Sequence, residues 1–218
     1  MLIVLEGSEA VGKSTQLRKL LAWLTEARVD VVSVREPGGT PVGDELRRIV
    51  LDPKSSLSPR AEALLFMASR AELVDQVIRP ALNRKSVVLV DRFFLSTYAY
   101  QIFGRGLAEV DVRAANHLAT GGLVPTLTLL LHLPLAESLA RMERRHAGQD
   151  RMEQSSHDFH KRVAGAFETF SMAAWQAAHP ECGPIVAIDA AGSEQQVFDR
   201  LKAAVVTAWP GSFPGQGT

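Results

Sequence analysis

Apolar residues along the chain fall into two patterns that alternate. Five short runs are apolar almost without interruption: LIVLE (2–6), VVSV (31–34), VVLV (87–90), TLTLLL (126–131) and PIVAI (184–188). A strand with one wet face would show a polar residue at every second position. Runs this continuous fit strands buried on both faces, as in a parallel sheet covered by helices. Between them, apolar positions recur three and four residues apart. That spacing predicts helices near 14–27, 42–51, 59–83, 94–103, 109–119, 134–146, 155–178 and 193–207. The alternation predicts an α/β fold of three layers. Right-handed crossovers then bring every strand's C-terminal end to one edge, where open α/β sheets bind ligands.

Polar signals gather at that edge. GSEAVGKST (7–15) follows the first run and precedes a helical pattern. Gly7, Gly12, Lys13 and Ser14 have the spacing of a phosphate cradle. The glycines permit a curved backbone that comes close to an anion, and the helix behind points its positive end at it. Lys13 can reach the outer phosphates and the Ser14 hydroxyl can ligate Mg²⁺. An ordinary glycine turn is the bland alternative.

The second run ends in REPGGT (35–40), a stiff loop of glycines and proline beside the charged pair Arg35 and Glu36. A plain turn would account for the glycines and proline, but not for a charged pair at the mouth of a phosphate site. The third run ends in Asp91 and Arg92. Asp91 stands where a carboxylate near Mg²⁺ is expected, and Arg92 could clamp a phosphate through its planar fork. An ion pair capping the sheet edge fits the same two residues. Phe66 and Arg70 are four apart and share one helix face, so they either stack and read a planar base or serve as core and surface. RMERRHAGQDRME (141–153) is either a solvated basic helix end or a lid whose arginines reach the transferring group.

Composition narrows the classes. A chain of 218 residues with 46% apolar content can bury a real core. Lys and Arg equal Asp and Glu at 24 each, so no general case exists for binding nucleic acid or an anionic membrane. Cys182 is the one cysteine, which excludes an internal disulfide and fits a reducing compartment. The histidines show no zinc spacing. The chain begins with a strand pattern rather than a signal peptide, and its longest apolar run is too short to span a bilayer. A soluble cytoplasmic protein is expected, with one domain over 1–209 and a flexible Gly/Pro-rich tail over 210–218.

Taken together, GSEAVGKST, REPGGT, DRFFLSTYAYQ, the DRME segment, FMASR and the order of elements resemble the bacterial thymidylate kinases. The resemblance runs to about residue 207, and REPGGT is its most specific part. It implies a P-loop NTPase fold with a five-stranded parallel sheet, a homodimer, and transfer of the ATP γ-phosphate to dTMP with Mg²⁺ in dTTP synthesis. Gly7, Ser8, Glu9, Ala10, Val11, Gly12, Lys13, Ser14 and Thr15 would hold ATP. Ser14, Glu9 and Asp91 would serve the metal. Glu36, Pro37, Arg47, Phe66, Arg70, Arg92, Thr97, Tyr100 and Gln101 would line the dTMP site, with Arg92 on the phosphate and Phe66 on the thymine. Lys13 and Arg92 would act in transfer. The P-loop lacks an arginine, which implies the subtype whose lid supplies one, here Arg145 in preference to Arg144, with Arg151 as partner. Phe93 stands where many relatives have tyrosine, and QIFGRG replaces a more glycine-rich segment. Another nucleoside-monophosphate kinase, or a non-catalytic ATP-binding switch, are the competing readings.

Overall fold

The computed structural model describes residues 1–143 and 150–210. Five strands form one parallel sheet: β1 (Leu2–Glu6), β2 (Val31–Arg35), β3 (Val87–Asp91), β4 (Leu127–His132) and β5 (Ile185–Asp189). Their order is β2-β3-β1-β4-β5. The helices are α1 (Lys13–Glu26), α2 (Pro41–Leu51), α3 (Pro59–Leu73), α4 (Arg79–Asn83), α5 (Phe94–Thr97), α6 (Glu109–Thr120), α7 (Leu135–Glu143), α8 (His157–Phe170), α9 (Ala173–Ala178) and α10 (Glu194–Ala208). The expected α/β architecture and five parallel strands are present. No helix of the described residues is long and apolar enough to cross a membrane.

Successive strand residues face opposite sides of the sheet, so the uninterrupted apolar runs feed two cores. Leu2, Val4, Val88, Val90 and Leu130 pack with residues of α3, α5 and α8. Ile3, Leu5, Val87, Leu89 and Leu129 pack with Leu20 and Leu24 of α1 and Leu201 and Val205 of α10. The three layers follow directly from this split.

Two expected helices are interrupted. The pattern over 59–83 forms α3, then a wider π-helical turn over Val74–Ile78, then α4. Pro80 lies within the pattern; it has no N–H to donate and its ring crowds the preceding turn, which a widened turn relieves. The pattern over 94–103 forms one turn of α5 and a second π-helical segment, Tyr98–Gly104. That segment sinks Tyr98 into the core and sets Tyr100 and Gln101 on the ligand side. The pattern over 155–178 breaks between α8 and α9, where the Ser171 hydroxyl donates to the Glu168 carbonyl at 2.7 Å.

The central position of β1 positions the site. Register pairs Leu5 with Asp91 and Arg35 with Asp91, so the C-terminal ends of β1, β2 and β3 lie at one level. The loops after these three strands therefore open on the same edge.

Candidate active site

The loop after β1 is held from below. Val11 is buried among Leu5 and Leu129. The Ser8 and Ser138 hydroxyls lie 2.7 Å apart, tying the loop to α7. Gly7 has φ 143°, and a Cβ there would come within 2.5 Å of the Leu131 carbonyl oxygen. Gly12, at φ 95°, turns the chain into α1. Thr40, Ser58, Ser156 and Ser193 cap α2, α3, α8 and α10 with hydroxyl oxygens, whereas α1 has no side-chain cap and no acidic residue in its first turn. Its leading N–H groups are thus left to an anion.

Lys13 lies under this loop. Its Nζ donates to the carbonyls of Gly7 at 2.9 Å and Ser8 at 2.6 Å. Burial, with the Arg92 guanidinium next, pushes the ammonium down to about 7, against the pull of Asp91, Glu6 and Glu9.

Arg92 is the first residue after β3 and has φ 69°, a left-handed conformation rare outside glycine. Glu6, wholly buried at the end of β1, imposes it. One carboxylate oxygen accepts from the Phe93 N–H at 2.6 Å and the Ser96 N–H at 3.1 Å, and the other from the Ser96 hydroxyl at 2.7 Å. The apolar pattern marks Glu6 only as the end of β1; a carboxylate closing a wholly apolar strand is the signal of its further role. Arg92 Nη1 donates to Ser96 Oγ at 3.0 Å and lies 3.4 Å from the Gly7 carbonyl oxygen. Its guanidinium also stands over the Tyr100 ring, 5.3 Å from the centroid. The Tyr100 hydroxyl donates to Glu9 at 2.9 Å. Burial pushes that hydroxyl far up, so it stays protonated.

Glu36 and Arg70 form the far wall. Arg70 commits all five of its N–H groups: Nε and Nη2 to Glu36, Nη1 to Thr97 at 2.7 Å and Asn116 at 2.6 Å, and Nη2 to the Phe93 carbonyl at 2.9 Å. It holds Glu36, Thr97 and the Arg92 turn together and keeps no spare donor for a base. Asn116, on α6, went unnoticed in the sequence because nothing distinguishes it from other polar helix residues. Burial pushes the Glu36 carboxyl up, and the Arg70 fork opposes that. Arg47 Nη1 donates to the Pro37 carbonyl at 2.8 Å.

These groups share one cavity of about 650 Å³, within the usual range for small-molecule sites. One end is walled by Glu9, Ala10, Gly12, Lys13, Ser14 and Thr15. The other is walled by Glu36, Pro37, Arg47, Phe66, Arg70, Thr97 and Gln101, with Asp91, Arg92 and Tyr100 between. Gly7, Ser8 and Val11 shape the loop without reaching the wall. Arg151 departs from expectation: its guanidinium bonds Glu62 at 2.8 Å and the Val50 carbonyl at 2.7 Å, and it is not on the cavity wall. Its neighbours Asp150, Met152 and Glu153 are. Arg144 and Arg145 lie outside the described residues.

The thymidylate kinase family model matches residues 5–199. A thymidylate kinase of Synechococcus sp. (strain JA-2-3B'a(2-13)) is 45% identical over 218 residues, 99% of each chain. One from Deinococcus radiodurans is 45% identical over 206 residues, covering 94% of this chain and 96% of its own. One from Chlorobium chlorochromatii is 41% identical over 217 residues, 95% of each.

The chain belongs to the thymidylate kinase family. One cavity wall carries Lys13 and the loop before α1, and the other is aromatic and polar. The remaining reactive groups stand apart from it. Cys182 is buried in the core, and burial pushes its thiol far up, so no thiolate is presented. His157 and His160 belong to α8; His160 is buried and its Nε2 lies 3.1 Å from the Glu153 carbonyl oxygen.

Proposed function

We propose that this protein is an ATP-dependent thymidylate kinase that converts dTMP to dTDP with release of ADP. The observation that carries this reading is that one cavity joins the uncapped start of α1 and Lys13 to Phe66, Arg92 and Tyr100. Such a cavity suits two nucleotides laid end to end through their phosphates. Lys13 and the α1 amides hold the ATP phosphates. Arg92 grips the dTMP phosphate, Phe66 lies against the thymine and Tyr100 against the deoxyribose. The acceptor phosphate is ionised near neutral pH, so an oxygen lone pair attacks the γ-phosphorus and the bond to the ADP oxygen breaks. Little covalent chemistry falls to the protein; positioning and charge neutralisation dominate.

The residues present fit Mg²⁺. Asp91 Oδ1 is buried and has no partner among the described residues, and Ser14 is exposed and lines the same cavity. Ser14 and Asp91, with Glu9, would hold the ion as hard oxygen donors. When bound, it supplies positive charge against the triphosphate. Phosphate oxygens of the nucleotide would complete its shell.

We read 141–153 as a lid: of its described residues, Arg141, Asp150, Met152 and Glu153 line the cavity, and Arg145 is assigned to the transferring phosphate from sequence alone. A cytoplasmic homodimer is the assembly we infer. Leu64, Val110 and Leu118 support it, standing 61%, 73% and 84% exposed on the neighbouring helices α3 and α6. Light scattering in solution tests the assembly. The function is tested by coupled assay of ADP release against dTMP, dUMP, dCMP and AMP. dTMP should be the strongly preferred acceptor; preference for another would reassign the acceptor, and no turnover with any would leave an ATP-binding switch.

A further inference from the structure

Glu62 lies in α3, one turn before Phe66, and is 1% exposed. It is not on the cavity wall, and the phosphate chemistry has no use for it. A buried carboxylate needs a partner, and Arg105 alone supplies one: its Nε lies 3.1 and 3.2 Å from the two oxygens and its Nη2 donates at 3.0 Å. Arg151 is then surplus to charge balance, yet its Nη1 bonds the same carboxylate at 2.8 Å. Ion clusters of this kind are poor stabilisers, because desolvation offsets most of their attraction. Two guanidiniums against one carboxylate make a worse bargain still, so stability is a weak reason for the second arginine.

What Arg151 brings is a piece of wall. Its backbone N–H donates to the Leu51 carbonyl at 2.9 Å and its Nε to Val50, seating 150–153 against the end of α2. Asp150, Met152 and Glu153 of that segment face the cavity. Glu62 also accepts from Gln101 Nε2 at 3.2 Å, and Gln101 lies on the acceptor wall. One carboxylate thus holds two parts of the acceptor site that are remote in sequence.

We propose that Glu62 is a positioning residue that couples acceptor binding to the seating of segment 150–153, through Gln101 on one side and Arg151 on the other. The proposal rests on dTMP being the acceptor. In wild-type protein, saturating dTMP should slow hydrogen exchange at the Arg151 amide by about tenfold, within the usual range of site-to-site coupling. Glu62→Gln, which keeps shape and loses charge, should abolish that response. It should raise the KM for dTMP about tenfold and leave the KM for ATP within about twofold. Glu62→Gln combined with Arg151→Gln should be no worse for dTMP than the worse single variant, because both cut one link. A Tm drop with both KM values unmoved, or single effects that multiply in the double variant, would make the cluster purely structural and overturn the proposal. The wild-type exchange measurement decides even where Glu62→Gln fails to fold. If dTMP does not raise the wild-type Tm, the acceptor reading fails and the proposal falls with it. If it does and the Arg151 amide is unmoved, the proposal alone is wrong.

Discussion

ATP binding should take up a proton at alkaline pH, and Lys13 should be where it goes. In the protein without ATP its amine is held down near 7 by burial and by Arg92. A neutral amine still has two N–H groups, enough for the Gly7 and Ser8 carbonyls it faces. A phosphate asks for a third donor and supplies the negative charge that favours it. The pKa on binding should return toward the ordinary 10.5, a change of about 5 kcal/mol at ~1.4 kcal/mol per unit. The sign follows: the bound form holds more protons, so affinity falls as pH rises between the two values. Uptake per ATP should be about 0.1 near pH 6, about half near pH 7 and close to one near pH 8.5. The Kd should weaken by nearly tenfold per pH unit between about pH 7.5 and 9. Calorimetry of Mg-ATP without acceptor, repeated in buffers of different ionisation enthalpy, reads the uptake directly. Lys13→Met should remove the pH slope. A flat Kd over that window, or uptake well below half a proton near pH 8.5, would show that the lysine is already charged before ATP binds and refute the reasoning.

Other expectations follow from the same geometry. Arg92→Ala removes the fork set at the centre of the cavity, and the KM for dTMP should rise at least about thirtyfold, a loss of ~2 kcal/mol or more, while an unchanged KM would take Arg92 off the acceptor phosphate. Phe66→Ala should cost ~1–3 kcal/mol of dTMP affinity, by analogy with aromatic stacking on bases, and a neutral result in titration would make it a core residue. Glu36→Gln leaves the buried Arg70 guanidinium without its counter-charge, which should cost roughly 3–5 kcal/mol and lower Tm by roughly 10 °C in a thermal melt; a smaller change would mean that Thr97, Asn116 and Phe93 suffice for Arg70.

The strands were legible because burial on both faces leaves continuous apolar runs, and each observed strand lies within a residue of its run. The phosphate end was legible because glycine geometry and a lysine at fixed spacing leave few alternatives. Proline 80 and the interrupted helices were harder, since period alone does not register a widened turn. The least legible residues were those that act through others. Glu6, Glu62 and Asn116 do not line the cavity themselves but hold residues that do; their work depends on partners between 39 and 90 positions away, a pairing that no local pattern encodes. Arg151 misled for the same reason: an arginine in a basic run reads as facing phosphate until Glu62 is found opposite it.

The uncapped start of α1 has a thermodynamic consequence. The donor end of the cavity is ready-made from amides and Lys13 and offers ATP's phosphates little oily surface to cover, while the acceptor end offers Phe66. Seating the triphosphate should therefore contribute little to the heat-capacity change of binding, whereas covering Phe66 with dTMP should lower the heat capacity measurably. The phosphate and thymine ends of one pocket would then answer temperature differently, the thymine end weakening as apolar contact does in the cold.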